Sequence, residues 1–409
     1  MSKIIPFCAV RPAPGKVSEV VSHSVEAYSK ESINRKLKAG SNSFLQIIFA
    51  GKELKSGEKE MLKAIKQKFI DFRKRGIFEQ EATPSIYVYR QIKDGQAHTG
   101  IIALASVEDY ENGVIKIHEH TLEKRVEKLK DYLSVCDFNA EPVSIAYPHH
   151  NELDTFLSEK IKEQPLYDFT TDLVQHSVWK ISSPETCGRI VGYFKKIPFL
   201  YIADGHHRVA SSVLLARSKR EQNKAHTGKE PYNFFMAAFF ADKQLSILNF
   251  NRTCSTLNGL SSDAFLSKVS NYFDIYPKGH EQVQPASANE ISMYLDKNWY
   301  MLKIKARKPV SANPVEILDV SVLSDKIFAS ILNITDLRND RRVTFVPGTK
   351  NVSLLIKAVD SGKMKVAFCL HPISFGELKA VADSGGIMPP KSTWIEPKLE
   401  NGLLIYSLS

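Results

Sequence analysis

The stretch PFLYIADGHHRVASSVLLA, residues 198–216, sets the fold class. Residues 198–204 are a nearly continuous apolar run, the pattern of a strand buried on both faces. Gly205 breaks the run. Val209, Val213 and Ala216 then fall on one face of a helix, with Ala210 and Leu214 beside them. Strand, glycine turn and helix in that order place a helix N-terminus at the carboxyl edge of a sheet.

The pattern repeats outward from there. NFFMAAFFA (233–241) reads as a second buried strand, and PVSIAYP (142–148) and SVWKIS (177–182) as shorter ones. SIYVYRQI (85–92) and HTGIIALASV (98–107) flank Lys93-Asp94-Gly95-Gln96, which predicts a hairpin. Residues 119–134 read as a charged helix. Upstream, Leu62, Ile65, Phe69 and Phe72 recur at helical spacing. Downstream, strand and helix patterns alternate as far as KVAFCL, with a Pro-, Ser- and Gln-rich loop at 277–290 and a Pro- and Gly-rich tail. The whole reads as α+β or mixed α/β. We divide it into an N-terminal α+β region (1–84), a core (85–250) and a C-terminal α+β domain with the tail (251–409).

A chain of 409 residues exceeds one ordinary core, which agrees with that division. Its five cysteines are scattered without a CxxC pair, which argues for reduced thiols rather than a disulfide framework or structural zinc. No apolar run approaches the ~18 residues of a membrane helix. The N-terminus lacks a signal-type apolar segment, so a cytoplasmic location is expected, with no membrane partner. The net charge of +10 is concentrated in residues 1–80, with 16 Lys+Arg against 8 Asp+Glu. That excess is either a solvated helix face or a polyanion-binding surface. No helix-turn-helix or aromatic-interleaved basic stretch supports a nucleic-acid partner.

Asp204, Gly205, His206, His207 and Arg208 are the densest group of functional side chains. A helix N-terminus favours anions, Gly205 permits close backbone approach, and Arg208 offers a fork suited to phosphate or carboxylate. Asp204 suits a magnesium ion or a proton. The adjacent histidines point apart, which argues against a zinc cage. The competing structural reading has Asp204 capping the helix and the histidines satisfying a turn.

DYENGVIKIHEHT (109–121) places His118, Glu119 and His120 at the expected start of the charged helix. Glu119 suits a general base, or simply a helix cap, and the HEH spacing excludes an HExxH zinc site. In GIMPPKSTWIEPKL (386–399), Lys391, Ser392 and Thr393 stand between stiffening prolines, with Trp394 as an anchor. That loop is either a substrate lid or a structural dock. VPGTKN (346–351) lacks the glycine and order of a Walker A loop.

These boxes, with RPAP (11–14), YVYRQ (87–91), HTGKEPYNFF (226–235) and LNGLS (257–261), resemble the family called domain of unknown function 1015 over nearly the whole chain. The HE box followed by DGHHR further resembles the free-serine kinases of the ParB/sulfiredoxin-like superfamily. That resemblance implies a ParB/sulfiredoxin-like core and transfer of a phosphoryl group from ATP or ADP, with Mg²⁺, to free L-serine. It puts the base on Glu119 and the essential aspartate, with the metal, on Asp204. His206, His207 and Arg208 would cradle phosphates, and His118 would join the substrate or lid group. Sulfiredoxin chemistry is disfavoured because His206 stands where that family has cysteine. Two segments depart from the pattern. VSHSVEAYS (21–29) replaces a Pro-Pro-Tyr-Asp-type stretch, and KRVEKLKDYL (124–133) lacks an Asp-Arg pair. A non-catalytic nucleotide- or nucleic-acid-binding protein and a nucleotide phosphohydrolase are the alternatives.

Overall fold

The run at 200–204 is a strand because its apolar side chains are buried on both faces of a sheet. Leu200, Tyr201 and Ile202 are essentially inaccessible, and it lies between two other strands of a nine-stranded mixed sheet. The computed structural model describes residues 1–38, 42–52, 57–305 and 313–408. These form two compact units. Residues 1–116, 120–245 and 397–409 make the first, and 117–119 with 246–396 make the second. The N-terminal stretch and the expected core therefore share one unit with the last thirteen residues.

In chain order the strands of the first sheet are β1 (Ile4–Ile5), β2 (Ile86–Lys93), β3 (Gln96–Ser106), β4 (Ile115–Lys116), β5 (Val143–Tyr147), β6 (Tyr167–Thr171), β7 (Val174–Ile181), β8 (Leu200–Asp204) and β9 (Phe234–Ala241). Their spatial order is β4-β8-β5-β9-β3-β2-β7-β6, with β1 added beside β3. β8 runs parallel to β4 and antiparallel to β5, and β9 runs parallel to β5. Its central strand β9 is buried at all eight positions, as a strand covered on both faces requires. The β2–β3 hairpin closes on Asp94 (φ 51°) and Gly95 (φ 77°), with Lys93 opposite Gln96. Two successive positive φ values define the tight turn whose twist matches the strands, and Asp-Gly supplies them cheaply.

The helices used below are α1 (Lys30–Lys38), α2 (Gly57–Lys74), α3 (Glu123–Cys136) and α4 (His206–Gln222). Leu62, Ile65, Phe69 and Phe72 of α2 are all buried in one cluster with Phe44, Phe78 and Phe138. The lysine face of α2 is partly neutralised, by Glu60 for Lys63 and Asp137 for Lys66.

The second unit carries a six-stranded sheet. Its strands are β10 (Phe250–Cys254), β11 (Phe273–Gly279), β12 (Glu290–Leu295), β13 (Asn298–Ile304), β14 (Val343–Pro347) and β15 (Val366–Leu370). They lie in the order β11-β13-β12-β15-β10-β14. One expectation is corrected here. The loop expected at 277–290 is shorter, because β11 continues to Gly279 through a register shift. Between β13 and β14 the chain is α-helical over Asp319–Val322, and Leu323–Ala329 wind as a π-helix. Among the described residues no helix is long and apolar enough to cross a membrane.

Candidate functional site

At the end of β8 the register with β5 slips between Ile202 and Asp204, so Asp204 pairs with Ser144. Such a slip bends a strand and re-aims the side chain that follows. Gly205 then takes φ 103°, ψ 26° and caps α4. A side chain there would meet two obstacles. The backbone is in the left-handed region, and a Cβ would lie 3.0 Å from the Arg208 guanidinium. The cap is thus a glycine, not Asp204, and it brings no side chain to the first-turn amides.

Arg208 folds back beneath this corner. Its Nη2 lies 3.0 Å from Asp204 Oδ2, and its Nη1 lies 2.9 Å from Glu141 Oε1 and donates to the Pro142 carbonyl at 2.5 Å. The fork read from sequence as a phosphate ligand is engaged in holding Asp204 and the entry to β5. The other side of Asp204 faces Lys398, with Nζ 3.4 Å from Oδ1. Asp204 and Lys398 are each about two-fifths exposed, whereas Arg208 is more enclosed. Lys398 is the cation that sequence reasoning missed. It lies in the same box as Lys391, and only the return of residues 397–409 to the first unit distinguishes the two.

The histidines take different positions. His206 is buried, and His207 Nε2 accepts the Leu122 N–H at 3.0 Å. That bond puts the proton of a neutral ring on Nδ1 and ties the start of α3 to the corner.

The HEH box does not begin a helix. His118, Glu119 and His120 lie in a bend, and α3 starts only at Glu123, with Leu122 as its N-cap and no side-chain cap. His118 is buried and Glu119 half-buried. Residues 117–119 group with the second unit, where the His118 carbonyl accepts the Met388 N–H at 2.9 Å. Within the second unit the structure therefore brings His118 to the start of the MPPKSTW loop.

That loop is held from behind by Arg252, which is fully buried and donates to the carbonyls of Phe250, Pro390 and Lys391. Burial pushes its pKa down to about 9, which leaves it a cation at neutral pH. Lys391, at φ 55°, lays its ammonium over the Phe250 ring, and Ser392 donates to the Pro389 carbonyl at 2.6 Å. Thr393 is half-buried. Trp394 packs edge-on against Phe250, and its indole N–H points to Glu396 at 3.3 Å.

Among the described residues no three His, Cys, Asp or Glu side chains converge as a metal cage. Asp204 fits only as a single carboxylate ligand, with the part-exposed Lys398 ammonium 3.4 Å from Oδ1. Magnesium is commonly held this way, with phosphates and water completing its shell.

A family profile described as protein of unknown function (DUF1015) matches residues 4–321. A search of curated proteins finds no significant match. Among solved structures, a mutant free serine kinase in complex with ADP covers 77% of this chain and 94% of its own, at 9% identity and a TM-score of 0.38. SbnI with C-terminal truncation from Staphylococcus aureus covers 72% of this chain and 82% of its own, at 14% identity and 0.37. A conserved hypothetical protein from Pyrococcus furiosus covers 72% and 90%, at 9% identity and 0.34. These likenesses are remote, and the reading below rests on the chain's own residues.

Proposed function

The chain belongs to the family described as protein of unknown function (DUF1015), and from its own residues we propose that it is a small-molecule kinase. It would move a phosphoryl group from ATP or ADP onto the hydroxyl of free L-serine, giving O-phosphoserine. One observation carries this reading. A carboxylate at the carboxyl end of a buried strand, Asp204, stands between Arg208 and Lys398 beside the glycine-capped start of α4.

Phosphoryl transfer asks a protein for position and charge neutralisation more than for covalent chemistry. The amides of His206, His207 and Arg208 face phosphate oxygens in this reading, more than their side chains do. Lys398 pairs with the transferring group and leaves Asp204 as it does so. Magnesium, arriving with the nucleotide, would take Asp204 Oδ1 as its protein ligand and spread the phosphate charge. Glu119 is the proposed base. It accepts the serine hydroxyl proton as the serine oxygen bonds to phosphorus. The bond from phosphorus to the bridging oxygen breaks, and its electron pair leaves with the shortened nucleotide.

The test is to incubate the full chain with Mg²⁺, L-serine and ATP or ADP, and to look for phosphoserine by mass spectrometry. Product is expected with at least one nucleotide. Glu119→Gln should lower turnover by about 10²–10⁴-fold, the usual worth of a positioned base, while nucleotide affinity stays nearly constant. No product with either nucleotide would overturn the reading. Phosphate release that does not need serine would replace it with a phosphohydrolase.

A further inference from the structure

A second feature of the first unit lies outside the Asp204 corner. A cavity of about 260 Å³ opens beside α1 and the β6–β7 turn. Its wall carries two carboxylates, Glu19 and Asp172, and two cationic groups, His23 and Lys36. Val21, Tyr28, three serines and a threonine complete the lining.

The site is braced from the core. His23 Nδ1 lies 2.5 Å from Oε1 of Glu400, whose side chain is 2% exposed. The other oxygen, Oε2, is buried without a hydrogen-bond partner among the described residues. A buried carboxylate satisfied on one side demands a cation beside it. His176, 3.9 Å from the same Oε1, is not that cation, since it is buried between the Tyr89 and Thr171 hydroxyls and burial pushes its pKa down to about 4. The charge therefore falls to His23, and its bond to Glu400 raises its pKa. On its outer edge, His23 Nε2 lies 3.2 Å from Asp172 Oδ2, and Lys36 lies 3.7 Å from the same oxygen.

The wall thus carries an ion-paired cluster, His23 and Lys36 against Asp172, with Glu19, which accepts from Asn42 at 3.0 Å, lining the same space. Such a wall repels a phosphate, because three carboxylates stand in or behind it. It does not hold a metal, since no three-ligand cluster occurs among the described residues. The space equals roughly nine waters at ~30 Å³ each, room for a molecule of about ten heavy atoms. We propose that this cavity binds a small zwitterion of the α-amino-acid class. Its carboxylate meets His23 and Lys36, and its ammonium meets Asp172 and Glu19. The strained turn at Asp172 and Leu173, both at positive φ, holds the anionic wall in place.

The inference stands apart from the kinase reading, because binding is read without nucleotide and without turnover. The full chain is titrated calorimetrically with each of the twenty L-amino acids, and with acetate, ethylammonium and inorganic phosphate as partial probes. At least one amino acid should bind with a dissociation constant of about 1 mM or tighter. Acetate, ethylammonium and phosphate should each bind at least about tenfold more weakly. Asp172→Asn and Lys36→Met, both at half-exposed side chains, should each weaken the amino acid at least about tenfold, with melting curves confirming the fold. His23→Gln should do the same. Absence of binding by every amino acid, affinity unchanged in both half-exposed variants, or phosphate as the tightest probe would each overturn the proposal.

Discussion

At the scale of single residues, chemical type was legible and partnership was not. Asp204, Gly205 and Arg208 announce an anion corner by their kinds and order. That Arg208 turns inward to Asp204, Glu141 and the Pro142 carbonyl depends on how β5 meets β8, which no spacing within the box reveals. The same holds for His23 and His176, which sequence left without roles. Their surroundings push them in opposite directions. Burial, with the nearby His23 charge, lowers His176 to about 4, and Glu400 raises His23 above its ordinary 6.5 against a smaller opposing effect of burial. Between pH 6.5 and about 4 the unfolded chain binds a proton at His176 that the folded chain refuses, so stability falls as pH drops. Above 6.5 the folded chain keeps a proton on His23 that the unfolded chain has lost. That stabilisation is complete below 6.5 and fades as pH rises through the raised value, with Glu400, Asp172, Lys36 and Tyr28 around the ring. The pair predicts a stability maximum near pH 6.5. The acid limb is worth up to about 3 kcal/mol, at 1.36 kcal/mol per pH unit. Urea melts across pH 4–8.5 check this. A His176→Gln chain should lose the acid limb, and a flat profile in the parent would refute the account.

At the scale of elements, periodicity located what it could see. The apolar stripe of α2 and the Asp94-Gly95 hairpin came out in place because each is written locally. The start of α3 did not. Glu119 was a plausible cap, but the first turn of α3 instead follows an N–H bond from Leu122 to His207, 85 residues away in sequence. A tertiary acceptor had displaced a local one. The β6–β7 hairpin was equally hidden. Its two-residue turn is Asp172-Leu173, at φ 45° and 68°, and Leu173 is 93% exposed. Leucine is poorly suited to that conformation, which costs roughly 1–2 kcal/mol for a residue with a Cβ. Leu173→Gly would convert the turn to the Asp-Gly pair preferred there. We expect it to stabilise the first unit by about 1 kcal/mol, a gain of a few degrees in melting temperature. Differential scanning calorimetry decides the matter. A lower melting temperature would mean that Leu173 makes a compensating contact.

At the scale of the whole molecule, the tail decides what the first unit is. Sequence divided the chain where composition changed and gave the tail to the C-terminal region, because nothing local marks a return. Yet residues 397–409 belong to the first unit. They bring Lys398 to Asp204 and Glu400 to His23 within three positions, so both the corner and the cavity depend on one short segment. They also complete the core. Leu399, Leu403, Leu404, Ile405 and Tyr406 are all buried, and Ile405 exchanges backbone hydrogen bonds with Val10 in both directions. Burying a large apolar side chain is worth about 1.5–3 kcal/mol, so five of them rival the whole stability of a domain, about 5–15 kcal/mol. A chain ending at Glu396 should therefore lose the cooperative near-ultraviolet dichroism transition of the first unit, and with it both phosphoserine formation and amino-acid binding. Supplying residues 397–409 as a synthetic peptide should restore part of the transition, because the segment binds through an edge it would otherwise occupy in cis. A truncated chain melting within a few degrees of the parent would show that the first unit closes its core without the tail, and that Lys398 and Glu400 are additions to a fold already complete.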